Sequence, residues 1–114
     1  MKKLLITLIF LFGSVASLNA ETDRIVSGNK DAKITIIAYE SLTCSHCANF
    51  HIDIYPQLKR EYIDTGLAKI EFRHFPLDIA AFNASKIAQC KPDQSLKILE
   101  SLYSNQQAWV KGST

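Results

Sequence analysis

The chain has 114 residues, 47% hydrophobic and 21% charged, enough for one small domain. Its thirteen basic side chains, less Lys2 and Lys3, match its eleven acidic ones, and no run of like charge occurs, which removes the electrostatic case for nucleic-acid binding or a polyionic tail. Three cysteines make one pair and one left over, which argues against a miniprotein stapled by several disulfides.

The N-terminus reads as a secretory signal peptide: a basic start at Met1-Lys2-Lys3, an apolar run over residues 4–12, and small residues over 14–20. The apolar run is shorter than the roughly 20 residues that span a bilayer comfortably. Cleavage after Ala20 divides the chain into a leader, 1–20, and a domain, 21–114; a cut after Ala16 competes, and an uncleaved anchor is the alternative. Export implies an oxidising compartment in which disulfides persist.

Residues 21–33 are polar, with a turn cluster at Ser27-Gly28-Asn29-Lys30-Asp31 and a short edge strand at Arg24-Ile25-Val26. Residues 34–39 are β-branched and nearly continuously apolar, which predicts a strand covered on both faces. Ser41 or Thr43 is placed to cap the helix that follows. In that helix Cys47, Phe50, Ile54, Leu58 and Tyr62 form an apolar stripe. Pro56 should kink it, and Gly66 should end it as a left-handed cap. Over residues 67–75 Ala68, Ile70 and Phe72 alternate with Lys69, Glu71 and Arg73, which predicts a strand less buried than the first. A helix between two such strands makes a parallel βαβ unit. Asp78 caps a further helix through Cys90, with Ala80, Ala84, Ile87 and Ala88 on one side. Pro92 opens another, with Leu96, Leu99 and Tyr103 inward. Residues 105–114 read as a loop.

The chemistry sits at Thr43-Cys44-Ser45-His46-Cys47. A cysteine that opens a helix meets unpaired N–H groups and the positive end of the macrodipole, so it ionises easily, and the thiolate is the reactive form. Cys47 lies one turn on, on the same face, within reach of a small disulfide ring. So short a ring adds little stability, which favours redox use over a structural bridge. His46, beside the thiolate, can stabilise it when protonated. The rival chemistry is metal binding by Cys44, Cys47 and His51. His51 and His74 otherwise read as packing or surface residues. Glu40 is either a proton relay for Cys47 or, more simply, a solvated loop acid. Cys90 reads as a small buried apolar residue, and Trp109 and the tyrosines as core or rim aromatics.

The order of apolar strand, Thr43-Cys44-Ser45-His46-Cys47, Phe50-His51, Pro56, Phe72-Arg73-His74-Phe75-Pro76-Leu77-Asp78 and an Ala-rich helix ending at Cys90 resembles the DsbA-type thiol:disulfide oxidoreductases. The likeness covers roughly residues 31–109. It implies an α/β thioredoxin-like fold with a helical insertion and catalysis by Cys44 (attacking), Cys47 (resolving) and His46. No dissociable cofactor and no metal are implied. The partners implied are exported proteins with free thiols and a membrane redox protein that reoxidises the pair, with the periplasm as the location. Two departures stand out. The family carries a cis-proline in a later loop, whereas Pro56, Pro76 and Pro92 are the only prolines here, and the family's closing β-hairpin and last helix have no counterpart. The chain therefore reads as the N-terminal part of such an enzyme, with an inactive truncated remnant as one alternative and a metal-binding module as the other. If the first strand is central, one of its edges is left open.

Overall fold

The computed structural model describes residues 24–111; the leader expected at residues 1–20 lies outside them. Three strands form one sheet: β1 (Arg24–Ser27), β2 (Ile34–Glu40) and β3 (Ala68–His74), in the order β1-β3-β2. β1 runs antiparallel to β3 with Ile25 opposite Phe72. β2 runs parallel to β3 with Ile36 opposite Ile70 and Glu40 opposite His74. The parallel pair needs a long crossover, which the helical run between the strands supplies. Between β1 and β2, the expected turn is set by Asn29, whose Oδ1 accepts from the Asp31 N–H at 3.0 Å. Gly28 has φ +107°, and a Cβ there would lie 2.8 Å from Ile63 Cγ2, so only glycine fits.

The strand burial is the reverse of the expectation. β3 is the centre of the sheet, with Ile70 and Phe72 fully buried. β2 is an edge among the described residues, and Ile34, Ile37 and Tyr39 are 57%, 45% and 64% exposed. The charged alternation of β3 misled because its charges are covered by partners. The Glu71 carboxylate, nearly buried, accepts from Arg73 at 2.8 Å and lies 3.9 Å from Arg24 on β1, while Arg73 also donates to the Tyr39 hydroxyl at 3.2 Å.

The helical run after β2 alternates between two geometries. It comprises α1 (Ser45–Asn49), a π turn (Phe50–Ile54), α2 (Tyr55–Leu58) and a second π turn (Lys59–Ile63). A π turn encloses one residue more than an α turn, so the inward face slips along the sequence. The buried residues are Ala48, His51, Tyr55 and Ile63, while Ile54 and Tyr62, expected inside, are 57% and 48% exposed. Cys47, Phe50 and Leu58 pack partly against the core. Pro56 falls in the first turn of α2, directly after the first π turn, where its missing N–H costs least. Gly66, φ +79°, ends the run as expected.

Asp78 caps α3 (Ile79–Gln89), its Oδ1 accepting from the Ala81 N–H at 2.7 Å. The inward face of α3 is Ala81, Ala84, Ser85 and Ala88; Ile87 is 54% exposed and Ala80 is outside as well, so that stripe was half right. A 3-10 turn (Pro92–Gln94) leads into α4 (Ser95–Ser104), which buries Leu99 and Tyr103 as expected and packs on the first π turn and β1. Where a loop was expected, a short α5 (Gln106–Trp109) forms, held by the Trp109 indole N–H donating to Leu102 O at 2.8 Å. One core joins these pieces: Ile25, Ile70 and Phe72 from the sheet, Tyr55 and Ile63 from the helical run, Ala84 and Ala88 from α3, and Leu99 and Tyr103 from α4. No described helix is long and apolar enough to cross a membrane.

A thiol pair between two openings

The turn from β2 into α1 presents the cysteines. Cys44 is itself the N-cap residue, in extended conformation at φ −77° and ψ 120°, and its carbonyl accepts from the Ala48 N–H at 3.1 Å. Neither Ser41 nor Thr43 caps the helix. The Thr43 hydroxyl donates instead to Asp78 Oδ2 at 2.6 Å, and Ser41 Oγ accepts from the Leu77 N–H at 3.3 Å. The Phe75 N–H also donates to Glu40 O at 2.7 Å. These bonds fasten the thiol loop to the segment that leads into α3. From the other side, the Gln106 side-chain amide donates to Leu42 O at 2.8 Å and to Cys44 O at 3.0 Å. Sequence reasoning missed Gln106 altogether, since it lies 62 residues from Cys44.

Both cysteines are free thiols, and their surroundings drive them apart. Burial opposes ionisation of Cys44, but the Cys47 N–H, the Cys47 thiol and the His46 N–H all stabilise its thiolate and together hold its pKa below the ordinary value of 9.0. Cys47 is pushed up to about 11, first by its own burial and then by Cys44 and the charge of Glu40, against a backbone bond from Ser41 that works the other way. His46 is exposed, and it reaches the thiolate through its backbone amide.

Behind the pair lies a group whose weight the sequence did not reveal. Glu40, expected to be a solvated acid, is only 4% exposed, and His51 is 7% exposed. His51 Nε2 and Glu40 Oε2 are 2.9 Å apart. The imidazole stacks on Tyr103 with ring centres 4.2 Å apart and lies 4.7 Å from the Phe72 ring. Burial, then the charge of Glu40, pushes the Tyr103 phenol up. His51 thus turns to Glu40 rather than to the cysteines, and among the described residues no three His, Cys, Asp or Glu side chains are grouped to hold a metal. Cys90, expected inside, is exposed: it is the C-cap residue of α3 and lies off the face that buries Ala84 and Ala88.

The pair sits between two openings. A cleft of about 770 Å³ on the Cys44 side is lined by Thr43, Asn49, Ile52, Leu77, Asp78 and Gln107, among others. A pocket of about 230 Å³ on the other side is lined by Ala38, Tyr39, Glu40, His46, Cys47 and Phe50. The arrangement gives two half-buried sulfurs, one easily ionised and one reluctant beside a buried acid.

Comparison with known proteins agrees with this geometry. A thioredoxin family model matches residues 20–114. The chain is similar to a Rickettsia bellii protein named for protein-disulfide oxidoreductase, 42% identical over 73 residues, which are 64% of this chain and 28% of that protein. It is also similar to the crystal structures of Wolbachia pipientis alpha-DsbA1 (34% identity, TM-score 0.71, 77% of this chain and 45% of that one) and of a protein-disulfide isomerase from Novosphingobium aromaticivorans (28% identity, TM-score 0.75, 82% and 50%). The chain therefore spans about a quarter of the Rickettsia relative and about half of the solved ones.

Proposed function

The chain belongs to the thioredoxin family, in its DsbA-type branch with an α/β fold and a helical insertion, and from that premise we propose that it is a protein thiol:disulfide oxidoreductase promoting disulfide formation in exported proteins. The observation that carries the reading is the divergence of the two thiols: Cys44 is held below 9.0 while Cys47, one turn on, rises to about 11. A disulfide whose exposed sulfur is stabilised as thiolate is the more oxidising for it, because the reduced form is favoured.

In the proposed reaction a substrate thiolate attacks Sγ of Cys44 in the Cys44–Cys47 disulfide. The S–S bond breaks, its electron pair passes to Cys47 Sγ, and that sulfur takes up a proton. A second substrate thiolate then attacks the substrate sulfur of the mixed disulfide and expels Cys44 as its stabilised thiolate. The substrate is oxidised by two electrons and the enzyme pair is reduced by two. His46 contributes the amide that faces Cys44, and Glu40 stands beside Cys47, where its charge opposes ionisation of that thiol. The sulfurs carry the electrons, so no dissociable cofactor is required. A membrane redox protein reoxidises the pair, and the leader at residues 1–20 directs the chain to the periplasm.

The test is oxidative refolding of reduced ribonuclease, together with insulin reduction, using the full chain and its Cys44→Ala variant. The wild type should accelerate both reactions and the variant neither. Equal rates for the two proteins would defeat the proposal.

A further inference from the structure

The loop that carries Cys44 from β2 to α1 is held from alternate sides. Ser41 Oγ and Thr43 Oγ1 meet the segment entering α3, at the Leu77 N–H (3.3 Å) and at Asp78 Oδ2 (2.6 Å). The carbonyls of Leu42 and Cys44 meet α5 instead, where a single atom, Nε2 of Gln106, donates to both, at 2.8 and 3.0 Å. Gln106 is a polar side chain only 8% exposed. Two acceptors on that side set which way its amide points, since its oxygen there would face two carbonyl oxygens with no proton between them. The mounting behind it is firm. α4 is anchored in the core by Leu99 and Tyr103, and α5 is tied to α4 by the Trp109 indole N–H on Leu102 O at 2.8 Å. The Asn105 side-chain amide adds a bond to Ser101 O at 2.9 Å.

Resting on the oxidoreductase reading, we infer that Gln106 is a positioning residue for the exchange reaction: its amide clamps the carbonyls of Leu42 and Cys44 and so fixes how the Cys44 sulfur is presented to the N–H groups of His46 and Cys47. The Cys44 carbonyl accepts the first helical bond, from the Ala48 N–H at 3.1 Å, and Gln106 occupies its second lone pair. The peptide plane between Cys44 and Ser45 turns only if ψ of Cys44 leaves its present 120°, and that turn would carry the sulfur away from the two N–H groups that stabilise its thiolate. Because one nitrogen serves both carbonyls, neither can swing without breaking a bond. The titratable groups around Cys44 are His46 and Cys47 on α1, Asp78 across the cleft at the start of α3, and Tyr103 on α4, with Glu40 behind Cys47 at the end of β2. From α5 come only the uncharged Gln106 and Gln107, so Gln106 acts through geometry and not through charge.

The experiment reads the Cys44 thiol in the reduced full-length chain, by alkylation across pH with tandem mass spectrometry that separates Cys44 from Cys47. Exposed Cys90 serves as the internal reference. Gln106→Met keeps the length of the side chain and removes both donors. It should move the Cys44 profile to higher pH by about half a unit, roughly threefold less thiolate below the midpoint. Ile63→Val trims the core beside Gly28, away from the thiol loop, and should lower the melting temperature while leaving the profile in place. A folded Gln106→Met chain with an unmoved profile overturns the inference. So does an equal movement in Ile63→Val, which would reduce Gln106 to a general prop of the fold. If Gln106→Met does not fold, hydrogen exchange in the wild type decides: both side-chain amide protons of Gln106 should exchange far more slowly than those of exposed Gln107, and equal rates overturn the clamp. No turnover is involved, so an inactive wild type would sink the oxidoreductase reading while leaving this measurement intact.

Discussion

A group whose pKa falls on folding stabilises the fold fully above its unfolded value, and that contribution is lost as pH drops through the lowered value. For Cys44 the unfolded value is 9.0 and the folded one lies below it. Cys47 has the opposite sign: its contribution is complete below 9.0 and is lost as pH rises from there through about 11. The melting temperature of the reduced wild type, measured against Cys44→Ala, should therefore gain on the variant as pH climbs towards 9. Against Cys47→Ala it should lose ground between 9 and 11. Differential scanning calorimetry across that range checks both, and curves that stay parallel would contradict the thiol divergence. At this scale the sequence was readable where chemistry is local. Cys44, Ser45, His46 and Cys47 are neighbours, and a helix start behind a strand is enough to place them. Glu40, His51 and Gln106 were not readable, because each acquires its role from residues between 11 and 64 positions away. Burial of an acid at a strand end depends on what the rest of the chain lays over it.

Helix periodicity was legible to within one residue. The stripe read from the sequence runs through Ile54 and Tyr62, and the fold uses Tyr55 and Ile63 instead. A wheel drawn at 3.6 residues per turn has no means of registering the two π turns. The slip makes a paired prediction. Tyr55 is 2% exposed and its hydroxyl donates to Ser27 Oγ at 2.7 Å, so Tyr55→Ala should cost about 3–5 kcal/mol in urea unfolding. Ile54→Ala should stay within about 0.5 kcal/mol, as surface changes do, apart from the small propensity gain of alanine. The opposite ranking would restore the regular helix. The strands were recognised for what they are, yet their burial was inverted. β-branched runs mark a strand wherever it lies, and the ion pairs that let β3 carry Glu71 inside are invisible without the register.

The molecule as a whole leaves apolar surface on one side of its sheet. No described strand pairs with the outer edge of β2, and Ile34, Ile37 and Tyr39 stand exposed along it. An unpaired apolar edge invites strand-to-strand association, and a lysine placed on it discourages such pairing. Light scattering should show wild type associating as concentration rises, and Ile37→Lys should shift that onset to several-fold higher concentration without altering the thermal unfolding midpoint of the dilute chain. Identical association by the two proteins would clear the edge of that role. The amide of Gln106 has a different kind of reach. It is the one side chain of α5 that grips the carbonyls of Leu42 and Cys44, so the tail of the chain hangs from the same loop that sets the sulfur. A displacement of α5 therefore pulls on the carbonyl of the cysteine that caps α1.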